Sequence, residues 1–140
     1  MRRFVIRSGV LWAALAIAGC GSNSSTSTTA VAPTPANVTE EFTGTLNING
    51  GASFPFVAQA AGLITATLTS LGTDSTTTVG LSLGTWNGTS CAVSSIHNDN
   101  AGPGSSIIGQ ATGGGSLCTR VYDVGKISEA VAYTITVVHP

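Results

Sequence analysis

Charged side chains are scarce in this chain of 140 residues: 5 Lys and Arg and 6 Asp and Glu make up only 8% of it. Three of the bases, Arg2, Arg3 and Arg7, lie at the very start. Downstream, Arg120 and Lys126 stand alone against Glu40, Glu41, Asp74, Asp99, Asp123 and Glu129, a net charge of −4. Two bases cannot make the several phosphate contacts that nucleic-acid affinity requires, so a nucleic-acid partner is excluded. Aromatic residues are only 6% and histidines only two, His97 and His139. The apolar run at residues 9–19 is about half the ~20 residues that a membrane-spanning helix needs. No segment of useful length holds a 3.6-residue period, which argues against a helical domain.

The short apolar run has a telling setting. It follows the three arginines and closes on Leu15-Ala16-Ile17-Ala18-Gly19-Cys20. A basic start, a short apolar centre and a small-residue end describe a cleaved secretory signal over residues 1–19. Ile17-Ala18-Gly19-Cys20 resembles the lipobox of bacterial lipoproteins. That resemblance implies that Cys20 becomes the first mature residue, with diacylglyceryl on its sulfur and an acyl chain such as palmitate on its new amine. Each buried methylene contributes ~0.8 kcal/mol, and two or more chains hold where one binds marginally. Gly21 stands where an aspartate would favour inner-membrane retention. The expected location is therefore the bacterial cell envelope, lipid-anchored, at the outer membrane in a host that has two. The lipid bilayer, reached through Cys20, is the expected partner.

Residues 20–37 form the next unit, the lipidated cysteine and a run of Ser, Thr, Ala and Pro without charge or aromatics. Such a stretch buries too little apolar surface to offset its ordering entropy and is expected to be a disordered tether. Residues 38–140 are enough for one core and too few for two.

In that domain the dominant period is two. Phe42, Gly44, Leu46 and Ile48 share one strand face, and Asn49-Gly50-Gly51 supplies a turn. Phe54, Phe56, Ala58 and Ala60 continue the pattern, and Ile64, Ala66 and Leu68 alternate with Thr65, Thr67 and Thr69. Val79, Leu81 and Leu83 lead to Trp86; residues 107–111, 117–124 and 131–138 are further strands. Alternation broken by Gly-rich turns predicts an all-β fold, an antiparallel β-sandwich of about eight strands.

With Cys20 assigned to lipid, Cys91 and Cys118 are the remaining cysteines. In an exported domain they are expected to form a disulfide. It would pin the Gly/Ser/Asn-rich excursion at residues 93–115. The close Cys/His spacing of a metal or redox site is missing, and no metal or other cofactor is expected.

Cys118-Thr119-Arg120-Val121-Tyr122-Asp123-Val124-Gly125, followed by Ala132-Tyr133-Thr134-Ile135-Thr136-Val137, resembles the closing hairpin of bacterial pre-peptidase C-terminal (PPC) domains. Phe42-Thr43-Gly44-Thr45-Leu46 and Gly62-Leu63-Ile64-Thr65-Ala66-Thr67-Leu68 resemble the opening strands of that family, and Leu81-Ser82-Leu83 falls where its middle strand is expected. The resemblance implies a jelly-roll-like sandwich and a noncatalytic accessory role. Where the family has an aspartate-rich middle strand this chain has Thr77-Thr78-Val79-Gly80-Leu81, so no calcium ligands carry over.

Residues suited to chemistry are few. His139 lies next to the C-terminus and is expected to be a frayed surface side chain. His97-Asn98-Asp99-Asn100 reads as a polar loop tip, and no nucleophile elbow is expected. Glu40 and Glu41 read as a solvated face at the domain entrance, and Asp123 as a turn stabiliser. No acid/base pair or nucleophile is indicated, and the domain is expected not to be an enzyme; a small hydrolase is the third reading. The expected role is structural or interactive, with an envelope protein as partner. The alternative is a glycan- or calcium-binding accessory module, with Asn98, Asp99 and Asn100 as a candidate ligand loop and Trp86 as a sugar-stacking ring.

Overall fold

The computed structural model describes residues 33–73 and 76–140. The expected signal peptide, the lipidation at Cys20, most of the tether and Asp74 lie outside the described residues. Residues 33–37 are exposed and have no regular structure.

Eight strands follow: β1 (Val38–Leu46), β2 (Gly51–Ala58), β3 (Gly62–Leu71), β4 (Val79–Trp86), β5 (Cys91–Ala101), β6 (Ser106–Ala111), β7 (Gly115–Tyr122) and β8 (Val131–His139). They form two four-stranded antiparallel sheets. Sheet A has the order β1-β8-β3-β6 and sheet B the order β2-β7-β4-β5. This is a jelly-roll β-sandwich, in which nearly every connection crosses from one sheet to the other. The alternation explains the layering. Ile64, Ala66 and Leu68 point inward from β3 and Tyr133, Ile135 and Val137 from β8, meeting Leu81, Leu83 and Val121 of sheet B. Their threonine neighbours face out.

The two long sides of the sandwich are closed differently. Beside β1 and β2, the rings of Phe42 and Phe54 stack with centroids 4.9 Å apart. The β1–β2 turn puts Asn49 in the left-handed region at φ 55° and fastens it to Asp123. The Asn49 N–H donates to Asp123 Oδ2 at 2.8 Å, and those of Gly125, Lys126 and Ile127 donate to Oδ1. These bonds, with the Asn49 bond contributing most, hold the Asp123 carboxyl below the ordinary carboxylate range. Its turn-stabilising role thus reaches across two connections. Ile48 lies in the turn, half exposed, and not on the strand face its spacing suggested.

The excursion at residues 93–115 is not a loop held by a staple. It contains the strand expected at residues 107–111, seen as β6, and also most of β5, which was not expected. The pairing of β5 with β4 slips twice, between Val79 and Leu81 and between Ser82 and Gly84. Bulges of this kind break the two-residue period and let polar side chains sit along an edge. At its start, β5 presses its backbone against the outward side of Gly84. A Cβ there would lie 2.3 Å from the Ala92 carbonyl oxygen. Cys118 of β7 stands opposite Gly84, so this approach brings Cys91 within disulfide reach. Cys91 and Cys118 are joined, with Cα atoms 5.8 Å apart.

His139 also differs from expectation. Strand β8 continues through it and pairs it with Val38. It is 2% exposed, its ring lies 4.9 Å from that of Phe56, and Nε2 is 2.9 Å from Glu40 Oε1. Glu40 is therefore a cross-strand partner of His139 and not simply part of a solvated face.

Candidate functional site

A cluster of charged and polar side chains lies on the outward face of sheet B. Because Val79, Leu81 and Leu83 of β4 enter the core, alternation turns Gly80, Ser82 and Gly84 outward. By the same rule β7 presents Cys118, Arg120 and Tyr122. Strand β5 adds His97 and Asp99 beside them.

Tyr122 organises this face. It pairs with Gly80, and its ring occupies the space a side chain would need there. A Cβ on Gly80 would lie 2.2 Å from ring atom Cε2. Lying across β4, the Tyr122 hydroxyl donates to Asp99 Oδ1 on β5. Desolvation by burial, then the hydrogen bond to Asp99 and its charge, push the hydroxyl pKa up to about 12 against the opposing effect of Arg120. The Arg120 guanidinium sits 5.1 Å from the Tyr122 ring centroid, within cation–π range.

Ser82 shares its register with Arg120 on one side and His97 on the other. It is fully buried, and its hydroxyl has no hydrogen-bond partner among the described residues. His97 Nε2 stands 4.0 Å from Asp99 Oδ2. Serine, imidazole and carboxylate thus share one face without forming a hydrogen-bonded relay. Nucleophilic catalysis needs the base in contact with the hydroxyl and oriented by the acid. Here the hydroxyl is buried and unbonded, and Asp99 is bound by Tyr122.

The candidate ligand loop is part of strand β5 and not a loop tip. Its oxygens are used within the fold. Asn98 Oδ1 accepts the Asn100 N–H at 2.9 Å. Asn100 Oδ1 accepts from Lys126 Nζ at 2.7 Å and from Thr78 Oγ1 at 3.2 Å. Trp86 is half-buried at the far end of β4, opposite Cys91, while Asn98 is opposite Leu81. Five residues of extended strand separate these positions, about 17 Å at the usual rise. The fold does not bring Trp86 to Asn98, Asp99 and Asn100. Among the described residues no group of three or more His, Cys, Asp and Glu is placed to hold a metal ion.

Beyond Lys126 a depression of about 570 Å³ opens at one end of the domain, with Thr77, Thr78, Lys126 and Glu129 among its walls. Its lining is hydroxyl-rich and without aromatic rings. Sequence reasoning missed Ser82, Arg120 and Tyr122 as a group. The signal was there: Gly80-Leu81-Ser82-Leu83-Gly84 has the Gly-x-Ser-x-Gly spelling of a nucleophile elbow. It lies within β4 and not at a strand-to-helix turn, and its small residues let neighbouring strands lay side chains and backbone across them.

No family model matches the chain, and no curated protein matches it in sequence.

Proposed function

We propose that this chain is a lipid-anchored envelope protein: attached through Cys20, extended by the tether to residue 37, and ending in a noncatalytic sandwich with a structural or interaction role. The observation that carries it is the sequence of three early arginines, a short apolar run and Ile17-Ala18-Gly19-Cys20. The polar face of sheet B supports the noncatalytic part. Its acceptors Asn98 Oδ1, Asp99 Oδ1 and Asn100 Oδ1 already take hydrogen bonds from donors of the same domain, and its serine hydroxyl is enclosed. The likeness of the first and last strands to PPC modules supports the same role. A glycan- or calcium-binding module draws less support, because the Asn100 and Asp99 oxygens already have partners and Trp86 stands far from them.

The test is partition between membrane and soluble fractions in a bacterial host. Cys20→Ser should move the protein from the detergent-extracted membrane fraction to the soluble one. Unchanged partition would overturn the anchor.

A further inference from the structure

Four strands end the two sheets, and three of them resist further pairing. β1 carries Glu40 and Glu41, β2 has Pro55 in mid-strand, and β5 is twice bulged and carries Asp99. Charges, prolines and bulges are the usual devices that keep an edge from adding a strand. β6 has none of them: Ser106–Ala111 is uncharged, lacks proline and pairs with β3 without a slip. Among the described residues no strand pairs with its other side.

Two features lie beside this edge. Ile108 and Leu63 are 62% and 65% exposed, at diagonal positions across the β6–β3 pair. Behind β6 an apolar slot of about 130 Å³ opens between the sheets, lined by Phe56, Ile64, Leu83, Ile96 and Leu117 around Gly109. The missing side chain at Gly109 helps leave this slot, since a Cβ there would already touch Leu83 and Ile96 at 3.1 and 3.2 Å. The opposite side has the Phe42–Phe54 stack as its cover; here Phe56 lines the slot without a second ring stacked over it.

We propose that β6 is a self-association edge, on which two copies pair β6 to β6, antiparallel, about a two-fold axis at Ile108. A two-fold contact brings residues against their own counterparts, so an edge bearing acids repels itself while β6 does not. The axis at Ile108 sets Ile107 of each copy opposite Gly109 of the other, on the inward face where the slot opens. It also sets Ile108 against Ile108 outside, covering the exposed apolar side chains, and Ser106 against Gln110. Two four-stranded sheets become one of eight. This deepens the interaction role proposed above, but its test reads association and not membrane attachment, so either can fail alone.

The full chain carrying Cys20→Ser provides the test. Sedimentation should show a dimer that dissociates on dilution. Adding Ile108→Lys, at an exposed position, should weaken association by about tenfold or more while leaving the circular dichroism spectrum unchanged, because it opposes like charges across the axis. Adding Ile108→Cys instead should yield a disulfide-linked dimer under mild oxidation, and Thr43→Cys, at the far edge of sheet A, should not. A monomer at every accessible concentration, or equal cross-linking at the two positions, overturns the proposal. So does a monomer in which Ile108→Cys resists alkylation, since another part of the same chain would then cover β6.

Discussion

The outward faces of the two sheets are built on different rules. On sheet A, hydroxyls bond to hydroxyls of neighbouring strands: Thr67 to Ser106 at 2.7 Å and Thr69 to Thr136 at 2.8 Å. Any small polar β-former would serve at these positions, because the register and the inward face hold the sheet. On sheet B each contact depends on a particular partner. Tyr122 needs Gly80 beneath it, β5 needs Gly84, and Cys91 needs Cys118. Sheet A is specified by a pattern, and sheet B by pairs.

The largest expected difference between them comes from the disulfide. Replacing both Cys91 and Cys118 by Ala frees a loop with a sequence separation of 27. The cost should be about 3–4 kcal/mol on the chain-entropy account. Urea unfolding of the oxidised wild type and the double variant measures it directly. Equal midpoints would mean that the paired contacts of β5 suffice without the bridge, and that sheet B is less dependent on individual pairs than its geometry implies.

Tyr122→Phe removes one bond from the same face and keeps the ring over Gly80. At neutral pH it should cost about 1 kcal/mol, the ordinary value of a hydrogen bond. Alkaline pH sharpens the reading. In the unfolded chain this hydroxyl ionises near 10.0, and in the folded protein at about 12. The folded state therefore keeps the proton longer, so its stabilising contribution is complete below pH 10 and is lost as pH rises through 12. Burial raises the Tyr133 hydroxyl in the same direction, so the wild type retains two alkaline contributors and the variant one. Thermal melts between pH 8 and pH 12 should show a shallower decline for Tyr122→Phe. Parallel curves would show that burial and the bond to Asp99 together do not set the folded hydroxyl apart from the unfolded one.

The same division accounts for what could be read in advance. Strand β8 and β3 as far as Leu68 alternate because one side of each is core and the other is not, and a two-residue period reports that difference. β4 alternates in side-chain size alone, since both its faces are buried from Val79 to Gly84. The disulfide was legible by elimination once Cys20 was set aside. Strand β5 was not, because two bulges scramble its period and its Ser, His, Asn and Asp residues have the composition of a turn. His139 was misread because nearness to the chain end carries no information about pairing; it pairs with Val38, 101 positions earlier, and its ring packs beside Phe56. Ser82, Arg120 and Tyr122 are close only because β7 crosses from sheet A's neighbourhood to lie between β2 and β4. No local spacing encodes a strand order.

The smallest effect belongs to sheet A and is the strictest check on the comparison. Thr69→Val keeps the shape of the side chain and removes its hydroxyl from Thr136. Thr69 is exposed, so water can take over the bond that Thr136 loses, and valine is a good strand former. Thr69 lies at the register slip between Leu68 and Ser70, but its side chain is exposed there, so the change in unfolding free energy should stay within about 0.5 kcal/mol, as for other surface substitutions. A loss equal to that of Tyr122→Phe would show that the hydroxyl pairs act as specific contacts, and the contrast between a patterned sheet and a paired one would fail.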